Sequence, residues 1–183
     1  MRLEQLKENL PDYAKDIRLN LSNLFGNIES SGLTPTQFYG IALSIAYSLK
    51  NKNLIRALEF ETQNAGLSDI YLAAKTAATL MAMNNVYYRA IHLAENKELT
   101  AMPANLRMNG LSNHDVDKED FELFALAVSV INGCGLCIHS HIKQLLGHSI
   151  TKVAIQSALR LAATLNALVT AYACADDNLN LEI

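Results

Sequence analysis

The sequence predicts an all-α fold built from a helical unit that occurs twice. Three observations carry this reading. The 183 residues favour Ala, Leu, Asn, Lys and Glu, include only three prolines, and have few of the alternating β-branched runs that mark strands. Helix start and stop signals punctuate the chain at spacings a helix can fill. FYGIALSIA at 38–46 also lies over FELFALAVS at 121–129, an offset of 83 residues, and TAATL at 76–80 lies over LAATL at 161–165 after a small insertion. Self-similarity of this period suggests two pseudo-symmetric halves that bury their apolar faces on each other. The alternative is the resemblance that any two Ala/Leu-rich helices share.

Residues 1–33 read as an N-terminal helical arm with one or two helices, broken at Pro11 and at Ser30-Ser31-Gly32. At Thr34-Pro35-Thr36-Gln37, a capping residue, a proline at the first helical position and a glutamine three residues after the cap open a helix over 35–50. Helices over 53–64 and 68–94 complete a first repeat, 34–94, which has no redox residues. Residues 95–116, with Pro103 and Asn109-Gly110, read as a connector. Asp117, with Asp120 three residues later, opens a helix through Ile131. Two more, over about 134–146 and 150–175, complete a second repeat, 117–175. A chain of this length with half its residues hydrophobic buries one substantial core and is short for two, so 1–183 is expected to be a single domain.

Charge and hydropathy narrow the function classes. The net charge is −3 with no basic stripe, which argues against a nucleic-acid partner and against an anionic membrane surface. MRLEQLKENLPDYA has no apolar run of the kind a secretory signal needs, so a cytoplasmic protein is expected. The longest uncharged run, LAATLNALVTAYACA, is short for a membrane span and reads as a buried helix. Three cysteines, Cys134, Cys137 and Cys174, are too few for a disulfide scaffold. Cys174, alone near the end of the last helix, reads as a small core residue.

The chemistry concentrates in VINGCGLCIHSH at 130–141. Covalent haem attachment needs histidine directly after the second cysteine, and Ile138 stands there. Zinc would draw on Cys134, Cys137, His139 and His141, yet on a helix His139 points away from the other three, and a closed site would need a loop or a distant ligand such as His148. His139 therefore reads as a surface residue, and His148, beyond Gly147, as a helix-terminal one. A thioredoxin-like setting would need a strand before the motif. A redox pair on a helical scaffold remains open beside the metal site.

Gly133 ends the helix over 117–131 and lets the next begin near Cys134. The first-turn amides and the macrodipole favour a thiolate at Cys134. Cys137, one turn on, is near enough for a disulfide, and His141 at i+4 from Cys137 lies on the same face. With the chain reversed at 132–133, Glu122 comes level with His141 across the hairpin. Glu122 can then hold His141, and His141 can take a proton from Cys137. Helix position favours Cys134 as the more acidic thiol, but the base at i+4 decides the nucleophile in favour of Cys137, because from Cys134 it is seven residues, or about 10 Å, away. At the offset of 83, Glu122, Cys134, Cys137 and His141 correspond to Tyr39, Asn51, Leu54 and Leu58, so only the second half carries this chemistry.

The spacing Glu122, eleven residues, Cys134, two residues, Cys137, three residues, His141, set in SVINGCGLCIHSH, resembles the alkylhydroperoxidase D family within the carboxymuconolactone decarboxylase-like group. The resemblance extends in length and helical order over nearly the whole chain. It implies an alkylhydroperoxidase D-like duplicated all-α fold, assembled as a homotrimer, and an antioxidant lipoyl-dependent peroxidase of organic hydroperoxides. Cys137 is implied to be the peroxidatic thiol that passes through sulfenic acid. Cys134 is implied to be the proton donor and resolving thiol that closes a Cys134–Cys137 disulfide, with Glu122 and His141 as the proton relay. No tightly bound cofactor is implied. The implied reductant is a dihydrolipoyl group on the acyltransferase subunit of a 2-oxoacid dehydrogenase complex. Electrons are further implied to pass to a partner peroxiredoxin, alkyl hydroperoxide reductase C, through a mixed disulfide at Cys137. Some members carry histidine directly before the second cysteine; here Leu136 stands there, which bears on rate more than on redox competence. The rival functions are another decarboxylase-type enzyme of the wider group, a thiol redox sensor, or a zinc-binding module.

Overall fold

The computed structural model describes residues 2–175, and among these there is no strand. The arm contains α1 (Leu3–Glu8) and α2 (Lys15–Gly26). Then come α3 (Pro35–Leu49), α4 (Lys52–Asn64) and α5 (Tyr71–Leu93). A short α6 (Lys97–Ala101) lies inside the connector, followed by α7 (Lys118–Ile131), α8 (Gly135–Gly147) and α9 (Lys152–Ala173). The α6 turn was not legible as a helix. It is set locally by Asn96, whose side chain accepts from the Glu98 and Leu99 amides.

Helices α3 and α7 pack on each other at the centre, with α5 and α9 against both. Both central helices are apolar around most of their circumference, as a helix enclosed by neighbours must be. Gly40 permits their close approach, because a Cβ there would lie 2.0 Å from Cζ of Phe124. Where the helices meet, Gln37 Nε2 donates to Asp120 Oδ1 at 2.8 Å in a buried hydrogen bond between positions 83 apart. A contact between residues at the repeat offset is consistent with duplication.

Start signals behave differently at the two ends of this pair. Thr34 and Gln37 form the expected reciprocal capping box. Asp117 does stand at the cap of α7, but its side chain makes no capping bond. Asp120 points inward to Gln37 instead, so tertiary pairing takes the carboxylate that local propensity would assign to the helix end. Burial raises the Asp120 pKa above the ordinary carboxylate value against the lowering effect of Gln37, with Asp117 and Glu119 adding to the rise.

The uncharged run expected to be a buried helix is α9. By length and mean hydropathy, 1.3, it could cross a membrane, yet half of that stretch is buried against this fold, where α9 packs on α2, α3 and α7. The arm is pinned over α4 and α9. Leu3 and Leu6 are buried, Leu3 N–H reaches Glu61 Oε1 at 3.4 Å, and the Tyr13 hydroxyl donates to the Ala171 carbonyl at 2.8 Å. The connector returns along α5, with Gly110 so close that a Cβ would stand 2.9 Å from Leu80 and Thr76.

Candidate active site

The reversal between α7 and α8 is a Schellman motif. Asn132 caps α7, Gly133 adopts φ +66°, and the Gly133 and Cys134 amides donate to the carbonyls of Val130 and Ser129 at 3.1 Å each. The turn is also clamped from α5. Asn85 donates to Ser129 Oγ at 2.9 Å and accepts from Asn132 Nδ2 at 3.0 Å, while Arg89 donates to the Asn132 carbonyl. This leaves Cys134 as the cap of α8, its Sγ accepting from the Cys137 amide at 3.4 Å. Asn51 plays the same part 83 residues earlier, accepting from the Leu54 amide at 2.9 Å.

Cys134 and Cys137 are joined as a disulfide, with Cα atoms 5.3 Å apart. Their exposures differ. Cys134 is 0% exposed and Cys137 is 8% exposed. One turn beyond Cys137, His141 Nδ1 lies 2.7 Å from Glu122 Oε2, so the acid of α7 and the imidazole of α8 do meet across the hairpin. With Nδ1 donating to the carboxylate, Nε2 is left as the nitrogen free to accept or release a proton. Both side chains are mostly buried, at 11% and 14% exposure, which strengthens their mutual attraction.

Cys137, His141 and Glu122 line one cavity of ≈ 340 Å³. Leu136, Ser140 and Gln144 of α8 line it too, and its opposite wall is Met81, Asn84 and Tyr88 of α5 with Met108 and Leu111 of the connector. This wall comes from the first repeat and the connector, neither of which the sequence marked as part of the site. The Asn84-Asn85 doublet inside an otherwise apolar stretch of α5 was the signal that could have shown it. Such a site can deprotonate a thiol, receive an alkoxide or hydroxide, and close or open a disulfide.

The remaining candidates separate from it. His139 is exposed, and His148 caps the end of α8, 3.2 Å from Glu119. Among the described residues no group of three or more His, Cys, Asp or Glu side chains is placed to hold a metal ion. Cys174 corrects an expectation: it is exposed, not a core residue. Ala171 is the last buried residue of α9, and the helix has run past the bundle by position 174.

Fold and site together define an all-α thiol–disulfide protein with a helix-capping CxxC. Residues 97–177, which contain the whole α7–α9 unit, match the carboxymuconolactone decarboxylase family. The chain is 48% identical over 167 residues to the alkyl hydroperoxide reductase AhpD of Coxiella burnetii, covering 91% of this chain and 94% of the relative. It is 47% identical to the protein of that name from Rhodopseudomonas palustris, with 92% and 91% covered, and 49% identical to that from a Bradyrhizobium species, with 96% and 95% covered. The chain belongs to the alkyl hydroperoxide reductase AhpD family, within the carboxymuconolactone decarboxylase group.

Proposed function

We propose that the protein is a lipoyl-dependent alkyl hydroperoxidase that uses the Cys134–Cys137 pair. The observation that carries this is the opening of Cys137 and the Glu122–His141 pair onto one cavity, with Cys134 sealed behind it. The base one turn on favours Cys137 as the nucleophile, and burial supports that reading: Cys137 is 8% exposed and borders the cavity, whereas Cys134 is 0% exposed. Its relatives' name, alkyl hydroperoxide reductase, supports the same substrate class.

In the reduced enzyme, His141 Nε2 draws the Cys137 proton while Glu122 stabilises the imidazolium. The thiolate attacks the terminal oxygen of R–O–O–H. A sulfur–oxygen bond forms, the O–O bond breaks, and the leaving alkoxide takes a proton from the relay to depart as alcohol. Cys134, as proton donor and resolving thiol, then displaces water from the Cys137 sulfenic acid and closes the disulfide. A dihydrolipoyl group on a partner protein returns both thiols by exchange and leaves as lipoyl disulfide. Alternatively, the reduced Cys137 thiolate attacks the disulfide of a partner peroxiredoxin; Cys134 resolves the mixed disulfide, so the partner leaves as a dithiol and the Cys134–Cys137 disulfide closes. With Leu136 where some relatives carry histidine, protons travel through Glu122, His141 and water alone. We also propose the homotrimeric assembly and the cytoplasmic setting that the resemblance implies. Sedimentation of a species three times the 20.1 kDa chain mass tests the first.

The deciding experiment is reduction of cumene hydroperoxide driven by dihydrolipoamide. Turnover in the wild type and none in Cys137→Ser is expected. One equivalent of peroxide consumed without turnover would identify a sensor instead. Decarboxylase activity retained without either cysteine would identify the other enzyme class.

A further inference from the structure

We infer that Asn84 binds the hydroperoxide in the cavity, as the hydrogen-bonding group for the oxygen that leaves. This rests on the peroxidase reading and assigns that site a residue outside its cysteines and its acid–imidazole pair. Asn84 lies on α5, is 5% exposed, and lines the cavity that also holds Cys137, His141 and Glu122. Its Oδ1 is buried with no hydrogen-bond partner. A folded chain rarely keeps an amide in that condition unless something else completes it.

The neighbouring residue makes the contrast. Asn85 sits on the same helix, fully buried, and both ends of its amide are occupied, by Ser129 Oγ and by Asn132 Nδ2. Those bonds hold the reversal ahead of Cys134, which is structural work. Asn84 has no such partner, so the same side chain, one position earlier, is available to a ligand.

The surrounding wall says what kind of ligand. Met81, Met108, Leu111 and Leu136 are apolar and suit an organic group, while a peroxide also has two oxygens that need partners near the thiol. An amide offers both a donor and an acceptor, and turning it about χ2 exchanges its ends. Its Nδ2 end, which has no protein partner among the described residues, donates to the oxygen bound to carbon, where negative charge develops as the O–O bond breaks and the Cys137 Sγ–O bond forms. Asn84 gives up no proton in this step; the alkoxide is protonated by the Glu122–His141 relay.

Replacement by leucine separates this role from a structural one. Removing an unsatisfied buried amide in favour of an apolar group of the same shape is expected to raise thermal stability. In single-turnover stopped-flow measurements, Asn84→Leu and Asn84→Ala should lower the rate of Cys137 oxidation by cumene hydroperoxide on the order of tenfold to a hundredfold. Alkylation of Cys137 by iodoacetamide across pH, and disulfide reduction by dihydrolipoamide, should stay within about twofold, since neither reaction contains a peroxide oxygen. An unchanged oxidation rate in both variants overturns the assignment. So does a parallel fall in alkylation, which would show Asn84 acting through the thiolate, or a lowered melting temperature in the leucine variant with oxidation lost only in proportion to unfolding. If the wild type itself is not oxidised by peroxide, the peroxidase reading fails and this assignment fails with it. A reactive wild type with unaffected variants removes the assignment alone.

Discussion

The two halves of the bundle carry the same helix-capping device and put different things behind it. In the first half Asn51 caps α4, and the positions matching Cys137 and His141 are Leu54 and Leu58, 1% and 0% exposed. In the second half Cys134 caps α8, and Cys137 and His141 face a cavity. The N-terminal arm makes the difference. It lies on α4, buries Leu3 and Leu6, and anchors its own chain to Glu61, the counterpart of the cavity residue Gln144. Where the arm covers the repeat, leucines complete a core. Where α5 and Met108 and Leu111 of the connector form the facing wall instead, space remains beside the thiol. One scaffold thus yields a stabilising half and a reactive half, according to what lies across the second helix of each.

The largest expected contrast is at Cys137. Cys137→Ser should abolish peroxide turnover, while Cys134→Ser should still form a sulfenic acid trapped by dimedone. Labelling in the Cys137 variant and not in the Cys134 variant would reverse the two roles. Next, Glu122→Gln should lower peroxide turnover by about 10²–10⁴-fold, because the amide no longer supports a charged imidazole, with circular dichroism unchanged. Full turnover in that variant would remove the relay.

At the matching place in the first half the loss should be one of stability. Leu58→Ala should destabilise the protein by about 2–5 kcal/mol in urea titrations, as a cavity opens under the arm, with dimedone labelling of the folded protein retained. The smallest effect should be on the axis between the halves. Burial raises the Asp120 pKa, so the folded state holds its proton more tightly than the unfolded chain does. Stability therefore falls as pH rises from the ordinary carboxylate value, 3.8, through the raised one, and the burden is carried in full at neutral pH. Asp120→Asn keeps an acceptor for Gln37 and removes the charge. Its melting temperature should exceed the wild type's at pH 7, with the advantage closing on acidification through that window; an advantage that persists at pH 3 would contradict the burial explanation.

Much of this was legible in the letters. Thr34-Pro35 and Gly133 mark helix ends through strictly local chemistry, a capping box and a left-handed turn, and both stand where expected. The pairing of Glu122 with His141 followed from helical rise on either side of that turn, since two rods joined by a tight reversal have few ways to align. What was not legible depended on neighbours distant in sequence. Asp120 looked like a helix starter and became half of an inter-repeat hydrogen bond with Gln37. Cys174 looked like core and lies beyond the last buried turn of α9. Asn84 was one amide of a doublet, and nothing local distinguishes it from Asn85.

By itself, then, the sequence determined where the main helices lie, where the chain reverses, and that two sulfurs, a carboxylate and an imidazole share one hairpin, because caps, turns and helical periodicity act over a few residues. Only the tertiary structure decided how deeply each sulfur is buried, what lies across the second helix of each half, and which asparagine is left without a partner. Those outcomes depend on how the arm, α5 and the connector settle over α4 and α8, and packing of that kind is fixed by surfaces that meet only when the whole chain has folded.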